Sequence, residues 1–135
     1  MDLDQDNCHA LKEKLEKIAH RTGLRTRTQA GSAQWQLVNR IAIEELEAWY
    51  FGDWQAVRGA YPNAHLPPKL KACNPDAIQG GTWETFERVM KKSGYFKNGL
   101  RKIEAAAAIG RHLDPNRSSS PSFRCFIRAV QEAIG

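Results

Sequence analysis

The sequence has no long apolar run and only three cysteines, and both shortages exclude whole classes of protein. No apolar stretch approaches the roughly 20 residues of a membrane-spanning helix, and no basic-then-apolar leader opens the chain. Cys8, Cys73 and Cys125 lack the C-x-x-C spacing of a zinc site. We therefore expect a cytoplasmic protein with reduced thiols and no membrane contact.

Charge and composition indicate a folded, mildly basic domain. The 135 residues carry a net charge of +5, 41% of them are hydrophobic, and four are tryptophan. This length suits a single domain, and the apolar content argues against disorder. The positive charge is compatible with nucleic acid as a partner, but it does not decide the fold.

Apolar residues at helical spacing predict most of the secondary structure. The first predicted helix has Asp6 as its N-cap, covers residues 7–20 and is ended by Gly23. By contrast, the segment WQLVNRIAI, residues 35–43, is rich in β-branched and large apolar residues, so it is predicted to be a strand. Further helices are predicted over residues 44–51, 53–61, 82–94, 100–110 and 120–135.

A short strand at the start, the first helix and the strand over residues 35–43 together predict a right-handed parallel βαβ unit. Two parallel strands alone make an incomplete sheet. The predicted fold class is therefore α/β and helix-rich, a βαβ remnant followed by a helical C-terminal part. We expect one domain overall, in which residues 1–61 form the partial βαβ unit with its following helices and residues 62–135 pack on it.

The opening segment MDLDQDNC places Asp2, Asp4 and Asp6 at alternate positions. Helix capping explains Asp6, because an Asp before a helix accepts hydrogen bonds from free backbone N–H groups. A calcium loop would add Glu13 at its twelfth position, but Asn7 stands where that loop needs glycine. At a strand end, Asp2 and Asp4 would project to one side and could hold a hydrated Mg²⁺. The residues alone leave these three interpretations open.

Glu47 is a further candidate metal ligand because it interrupts an apolar surface. In a helix formed by IEELEAWYF it lies within the apolar arc, and Glu44 lies at its rim. A carboxylate there is costly unless it is paired or bound to a metal, and an ion pair with a residue such as Arg40 is the alternative. The predicted magnesium ligands are Asp2, Asp4 and Glu47, with Asp6 and Glu44 as secondary candidates.

Arginines and tryptophans are candidates for contact with nucleic acid. Arg25, Arg27 and Arg40 could bind phosphates while tryptophans stack on bases. Trp49 and Trp83 lie in apolar helical stripes, however, so core packing is favoured for these two. The segment RSSSPS is compatible with a phosphate contact, but capping of the last helix is the favoured interpretation.

Several segments resemble one bacterial family along nearly the whole chain. They include DLDQDNCHALKEKL, NRIAIEELEAWYFGDWQAV, NPDAIQGGTWETFERVM and SGYFKNGLRKIEAA, and they resemble domain of unknown function 4276. The resemblance implies a Toprim-like fold, in which Asp2 and Asp4 match the family's D-x-D and Glu44, Glu45 and Glu47 match its IEELEAW. It also implies a Mg²⁺-dependent, nuclease-type protein that acts on nucleic acid, works beside an ATPase partner and is associated with phage defence.

The same resemblance implies that a substantial N-terminal stretch precedes the D-x-D in relatives. We therefore expect this chain to correspond to the C-terminal part of such a protein and to be inactive alone. The alternative is a non-catalytic interaction module or gene fragment, which keeps the helical surface without the chemistry.

Overall fold

The computed structural model describes residues 7–31 and 33–135. Asp2, Asp4 and Asp6 lie outside these ranges. Within them no helix is both long and apolar enough to cross a membrane. The described elements are α1 (Cys8–Arg21), α2 (Arg27–Ala30), α3 (Glu47–Gly52), α4 (Trp54–Ala60), α5 (Pro68–Lys71), a 3-10 turn (Pro75–Ala77), α6 (Thr82–Lys92), α7 (Lys102–Gly110) and α8 (Pro121–Ile134).

The predicted βαβ remnant of a Toprim-like sheet is wrong. Residues 7–31 and 33–135 contain no strand, and the pairing described between residues 35–43 and another described segment is an isolated parallel bridge, between Thr26 and Leu37. Two backbone hydrogen bonds of 2.8 Å link this segment to residues 25–27, Asn39 donates to Glu16 Oε1 at 2.8 Å, and Trp35 and Val38 line a groove along α8. The segment is therefore held without a sheet, and the described fold is helix-rich.

The local signals for helix ends are largely confirmed. Helix α1 is capped by Asn7, whose side chain accepts from the N–H of His9, rather than by Asp6. Gly23 has a φ of +73°, the left-handed conformation that ends a helix at little cost in glycine. Asp53 caps α4 and Ser120 caps α8, with Pro121 at the first helical position. Each signal lies within a few residues of the helix end that it specifies.

Four helices, α3, α4, α6 and α7, surround the main core. Val57, Phe86, Met90 and Ile109 are fully buried there, and Phe51 meets the ring of Phe86 edge-on at a centroid distance of 5.9 Å. Apolar side chains from both sides of position 61 contribute to this cluster. Burial of such side chains provides the main favourable free energy of folding.

Helix α8 packs through aromatic contacts with α3. The ring centroid of Trp49 lies 5.0 Å from that of Phe123 and 5.3 Å from that of Phe126. The indole Nε1 of Trp49 also donates to Ser122 Oγ at 2.9 Å. Trp49 is half-buried and packs between α3 and α8, in keeping with the packing role that its place in a helical stripe predicts.

Candidate functional site

Glu47, the first residue of α3, has its carboxylate buried beside one lysine. The residue is 4% exposed, and Lys102 Nζ lies 3.8 Å from Glu47 Oε1. The ion pair that would offset burial of this carboxylate is thus made with Lys102 and not with Arg40. Because an ammonium group already neutralises Glu47, the described residues around it do not by themselves fit a magnesium ion.

Glu45 lies next to this pair and faces the start of α6. Its Oε2 accepts from the backbone N–H of Trp83 at 2.8 Å, and Lys102 Nζ lies 4.8 Å from the centroid of the Trp83 ring. Burial raises the pKa of Glu45, although the Trp83 hydrogen bond and Lys102 oppose that effect. Glu44 is exposed, with a φ of +64°.

A magnesium site would also need Asp2 and Asp4, which lie outside the described residues. Within residues 7–31 and 33–135, no group of three or more His, Cys, Asp or Glu side chains is arranged to hold a metal ion. The predicted site of Asp2, Asp4 and Glu47 therefore stays a prediction.

Two of the three arginines predicted to contact nucleic acid, Arg27 and Arg40, bond to α8. Arg27 pairs with Glu132 of α8, with Nη2 at 2.9 Å from Oε1, and Arg40 Nε donates to the Cys125 carbonyl at 3.3 Å. The hydrogen bond from Arg27 lowers the pKa of Glu132 against the effect of burial, and the charges of Arg40 and Arg128 add to the lowering. Arg25 is exposed, and its backbone N–H donates to Gln36.

The serine segment, residues 118–122, is held tightly against the junction of α3 and α4. Ser118 and Ser120 are fully buried, and the Ser119 N–H donates to the Gly52 carbonyl at 2.9 Å. A Cβ on Gly52 would lie 2.9 Å from both Ser118 Oγ and Ser120 N. Glycine at position 52 thus permits this close approach.

Asp76 fixes the serine segment from the other side. Its carboxylate accepts from Ser120 Oγ at 2.6 Å and from the Ser122 N–H at 2.7 Å. Ser120 Oγ in turn accepts from the N–H of Phe123, which confirms the predicted capping role of this segment. The buried polar groups of Asp76 and the serine segment therefore hydrogen-bond to one another, and these bonds hold the segment in place.

Arg117, just before the serine segment, is fixed by Asp53. Its Nε and Nη2 each donate to the Asp53 carboxylate at 2.9 Å. Further bonds run from Nη2 to the His112 carbonyl at 2.9 Å and from Nη1 to Asp114 at 3.3 Å. Burial alone would raise the pKa of Asp53, but hydrogen bonds from Arg117, Asp114 N–H and Ala56 N–H lower it below its usual range.

A cleft of about 700 Å³ opens beside these residues. Its lining comes from Phe51 and Gly52 of α3, from α4, from residues 62–66, and from Lys71, Arg117 and Ser119. None of the described residues that line it is an aspartate or a glutamate. Its lining includes the indole of Trp54 and the basic or polar side chains of Gln55, Arg58, Asn63, His65, Lys71, Arg117 and Ser119.

Trp54 is the aromatic side chain best placed for a ligand in the cleft. Its ring stacks on Phe51 at a centroid distance of 5.7 Å and an interplanar angle of 20°. Its Nε1 donates to the Ala64 carbonyl at 3.3 Å. The indole is half-buried and held on two sides, so a ligand would meet an ordered surface.

Sequence reasoning missed most of this cleft. Arg58 and Lys71 carry no motif, whereas Arg117 and Ser119 belong to the RSSSPS segment, for which a phosphate contact is the less favoured interpretation. The Asp53–Arg117 pair joins residues 64 positions apart, which leaves no spacing signal. Besides RSSSPS, Asp53 at the start of the predicted helix over residues 53–61 is a local sign that this region is structured.

Comparison with known proteins identifies the family. Residues 1–131 match the family model described as domain of unknown function (DUF4276). The chain belongs to this family. The membership predicted from its segments is thereby confirmed. No curated protein and no solved structure gives a significant match.

Proposed function

We propose that this DUF4276 chain binds single-stranded nucleic acid in the cleft beside α4. The observation that carries the proposal is the charge of the lining, in which Arg58, Lys71 and His65 surround about 700 Å³ with no carboxylate among the described lining residues. A phosphate backbone is attracted to such a surface, and it releases counterions when cations replace them.

Two cations account for most of this attraction. Asp53 and Asp114 balance the charge of Arg117, so the net positive charge of the cleft comes from the exposed Arg58 and Lys71. Four of the five N–H groups of Arg117 have acceptors among the described residues. We infer that the fifth donates to a ligand oxygen, a role for which the rigid guanidinium fork is well suited.

The shape of the cleft favours a single strand over a duplex. Its volume falls within the range of about 300–1,000 Å³ that is typical of small-ligand sites, so it accommodates individual nucleotides. A duplex instead presents its phosphates on a convex surface. Trp54 adds a stacking surface, which single strands can use because their bases are accessible.

Titration of a fluorescently labelled oligothymidylate, followed by anisotropy at low salt, tests the proposal. We expect Arg58→Ala/Lys71→Ala to weaken binding at least about tenfold. The matched control is Arg88→Ala/Lys92→Ala, which removes one arginine and one lysine that are exposed on α6 and do not line the cleft. Equal affinities of the two double variants would contradict the proposal.

A second candidate function is metal-dependent processing of the bound strand. The observation that favours it is the burial of Glu47, a residue only 4% exposed, next to Glu45. With Asp2 and Asp4 as additional ligands, a bound Mg²⁺ would stabilise charge on phosphate oxygens. Nucleic-acid binding by the cleft needs no such chemistry and equally suits a non-catalytic module that works beside an ATPase.

Calorimetric titration with Mg²⁺ separates the two functions. Processing predicts a binding heat that Asp2→Ala/Asp4→Ala diminishes, with cleavage of labelled oligonucleotide in the parent chain. Absence of heat in the parent chain would exclude a Mg²⁺-dependent function of this chain and leave binding as its role.

A further inference from the structure

The positively charged surface continues beyond the cleft onto α8. The serine segment carries Ser119, which lines the cleft, and its Ser118 carbonyl accepts from Arg124 Nε at 2.7 Å. Arg128 follows Arg124 by four residues and therefore lies on the same side of the helix. Both arginines are exposed.

Two more arginines reach this side of α8 from the N-terminal half of the chain. Arg40 Nε donates to the Cys125 carbonyl, and Arg27 pairs with Glu132. Glu132 is also within electrostatic reach of Arg40 and Arg128. We call Arg27, Arg40, Arg124 and Arg128 the arginine ridge.

The arginine ridge keeps a net positive charge although one carboxylate lies in it. Glu132 is the one acidic residue of α8, and its carboxylate is bonded to Arg27. Arg124 and Arg128 are separated by about 6 Å along the helix axis, at 1.5 Å per residue. The ridge therefore presents several positive charges in a row instead of one isolated charged group.

We propose that the arginine ridge extends the cleft, so that one single strand longer than the cleft lies along both. The inference rests on the proposed function, because it requires the strand to enter the cleft. It adds a binding surface on α8 whose contribution depends on ligand length, since counterion release grows with the number of phosphates that are neutralised.

The test compares labelled oligothymidylates of 5 and 20 nucleotides on the parent chain and on Arg124→Ala/Arg128→Ala. We expect this variant to bind the 20-nucleotide strand at least about fivefold more weakly than the parent chain and the 5-nucleotide strand equally well. Arg58→Ala/Lys71→Ala should weaken both strands. The control variant Arg88→Ala/Lys92→Ala should bind the 5-nucleotide and the 20-nucleotide strand as tightly as the parent chain does.

Each outcome separates the two proposals. If Arg124→Ala/Arg128→Ala binds the long strand as well as the parent chain does, the arginine ridge is contradicted while the cleft stands. If Arg58→Ala/Lys71→Ala binds the short strand normally, the cleft itself is contradicted. Because Arg124 supports the serine segment, Arg128→Glu decides the first comparison should the double variant unfold or bind the 5-nucleotide strand more weakly. An unchanged affinity of Arg128→Glu for the long strand contradicts the ridge. A 20-base-pair duplex that matches the single strand in affinity would also contradict the ridge as a single-strand path.

Discussion

Arg117 and Asp53 form a two-pronged ion pair, with Nε to Oδ1 and Nη2 to Oδ2 both at 2.9 Å. The Asp53 side chain is 1% exposed, whereas that of Arg117 is 37% exposed at the edge of the cleft. Asp53 also caps α4, the helix that carries Arg58. One buried carboxylate thus joins α4, which lines the cleft, to Arg117, which also lines it.

Asp53→Asn should destabilise the protein substantially. The amide keeps the size of the side chain but loses its negative charge. That charge accepts four hydrogen bonds, two from Arg117 and one each from the N–H groups of Asp114 and Ala56. We expect a loss of about 2 kcal/mol, below the full value for a buried pair because Arg117 is partly exposed. Urea denaturation measures it, with Asp114→Asn as a control. Asp114 is 38% exposed, so its loss should stay under about 1 kcal/mol, and equal losses would contradict this account.

The same carboxylate predicts how stability depends on pH. Because the pKa of Asp53 is lower in the folded state, its contribution is present above the unfolded value of about 3.9 and is lost as pH falls through the folded value. The free energy of unfolding of the parent chain should therefore fall more steeply below about pH 4 than that of Asp53→Asn. Parallel pH profiles of the two proteins would show that Asp53 is not responsible.

Gly52→Ala should disturb the serine segment. An added methyl group would lie 2.9 Å from Ser118 Oγ, Ser120 Cβ and Ser120 N, and the backbone atom has little freedom to move. We expect a loss of about 1–3 kcal/mol from overpacking, together with weaker oligonucleotide binding, because Ser119 and Arg117 would shift. Gly110→Ala is the control, since a Cβ there meets nothing within 4 Å, and it should be neutral or slightly stabilising by thermal unfolding.

Local sequence signals predicted most of the helices correctly but wrongly predicted a strand over residues 35–43. Asp53 and Ser120 lie beside the helix ends that they cap, so their role is readable from a few residues. The residues 35–43 have high β-propensity, but that propensity reflects packing on a half-buried surface, and here α8 provides the surface. A strand also needs a partner strand, and whether one lies beside it depends on the tertiary fold, which local propensity does not report.

The sequence predicted a buried site residue only where the pattern that indicates it lies within a single helix. Helical periodicity identified Glu47 as a carboxylate on an apolar face, and its burial agrees with that. Its partner Lys102 lies on α7, and no spacing rule connects them. Likewise Arg58, Lys71 and Arg117 come from three separate segments, so only the folded chain shows that they line one cleft.

The salt dependence of oligonucleotide binding tests the central claim most directly. For single strands the slope of log K against log salt is about −0.7 for each neutralised phosphate. If Arg58 and Lys71 each contact one phosphate, Arg58→Ala/Lys71→Ala should reduce the magnitude of the slope by about 1.4, while Arg88→Ala/Lys92→Ala leaves it unchanged. A slope that is the same in the parent chain and in the cleft variant would contradict the account.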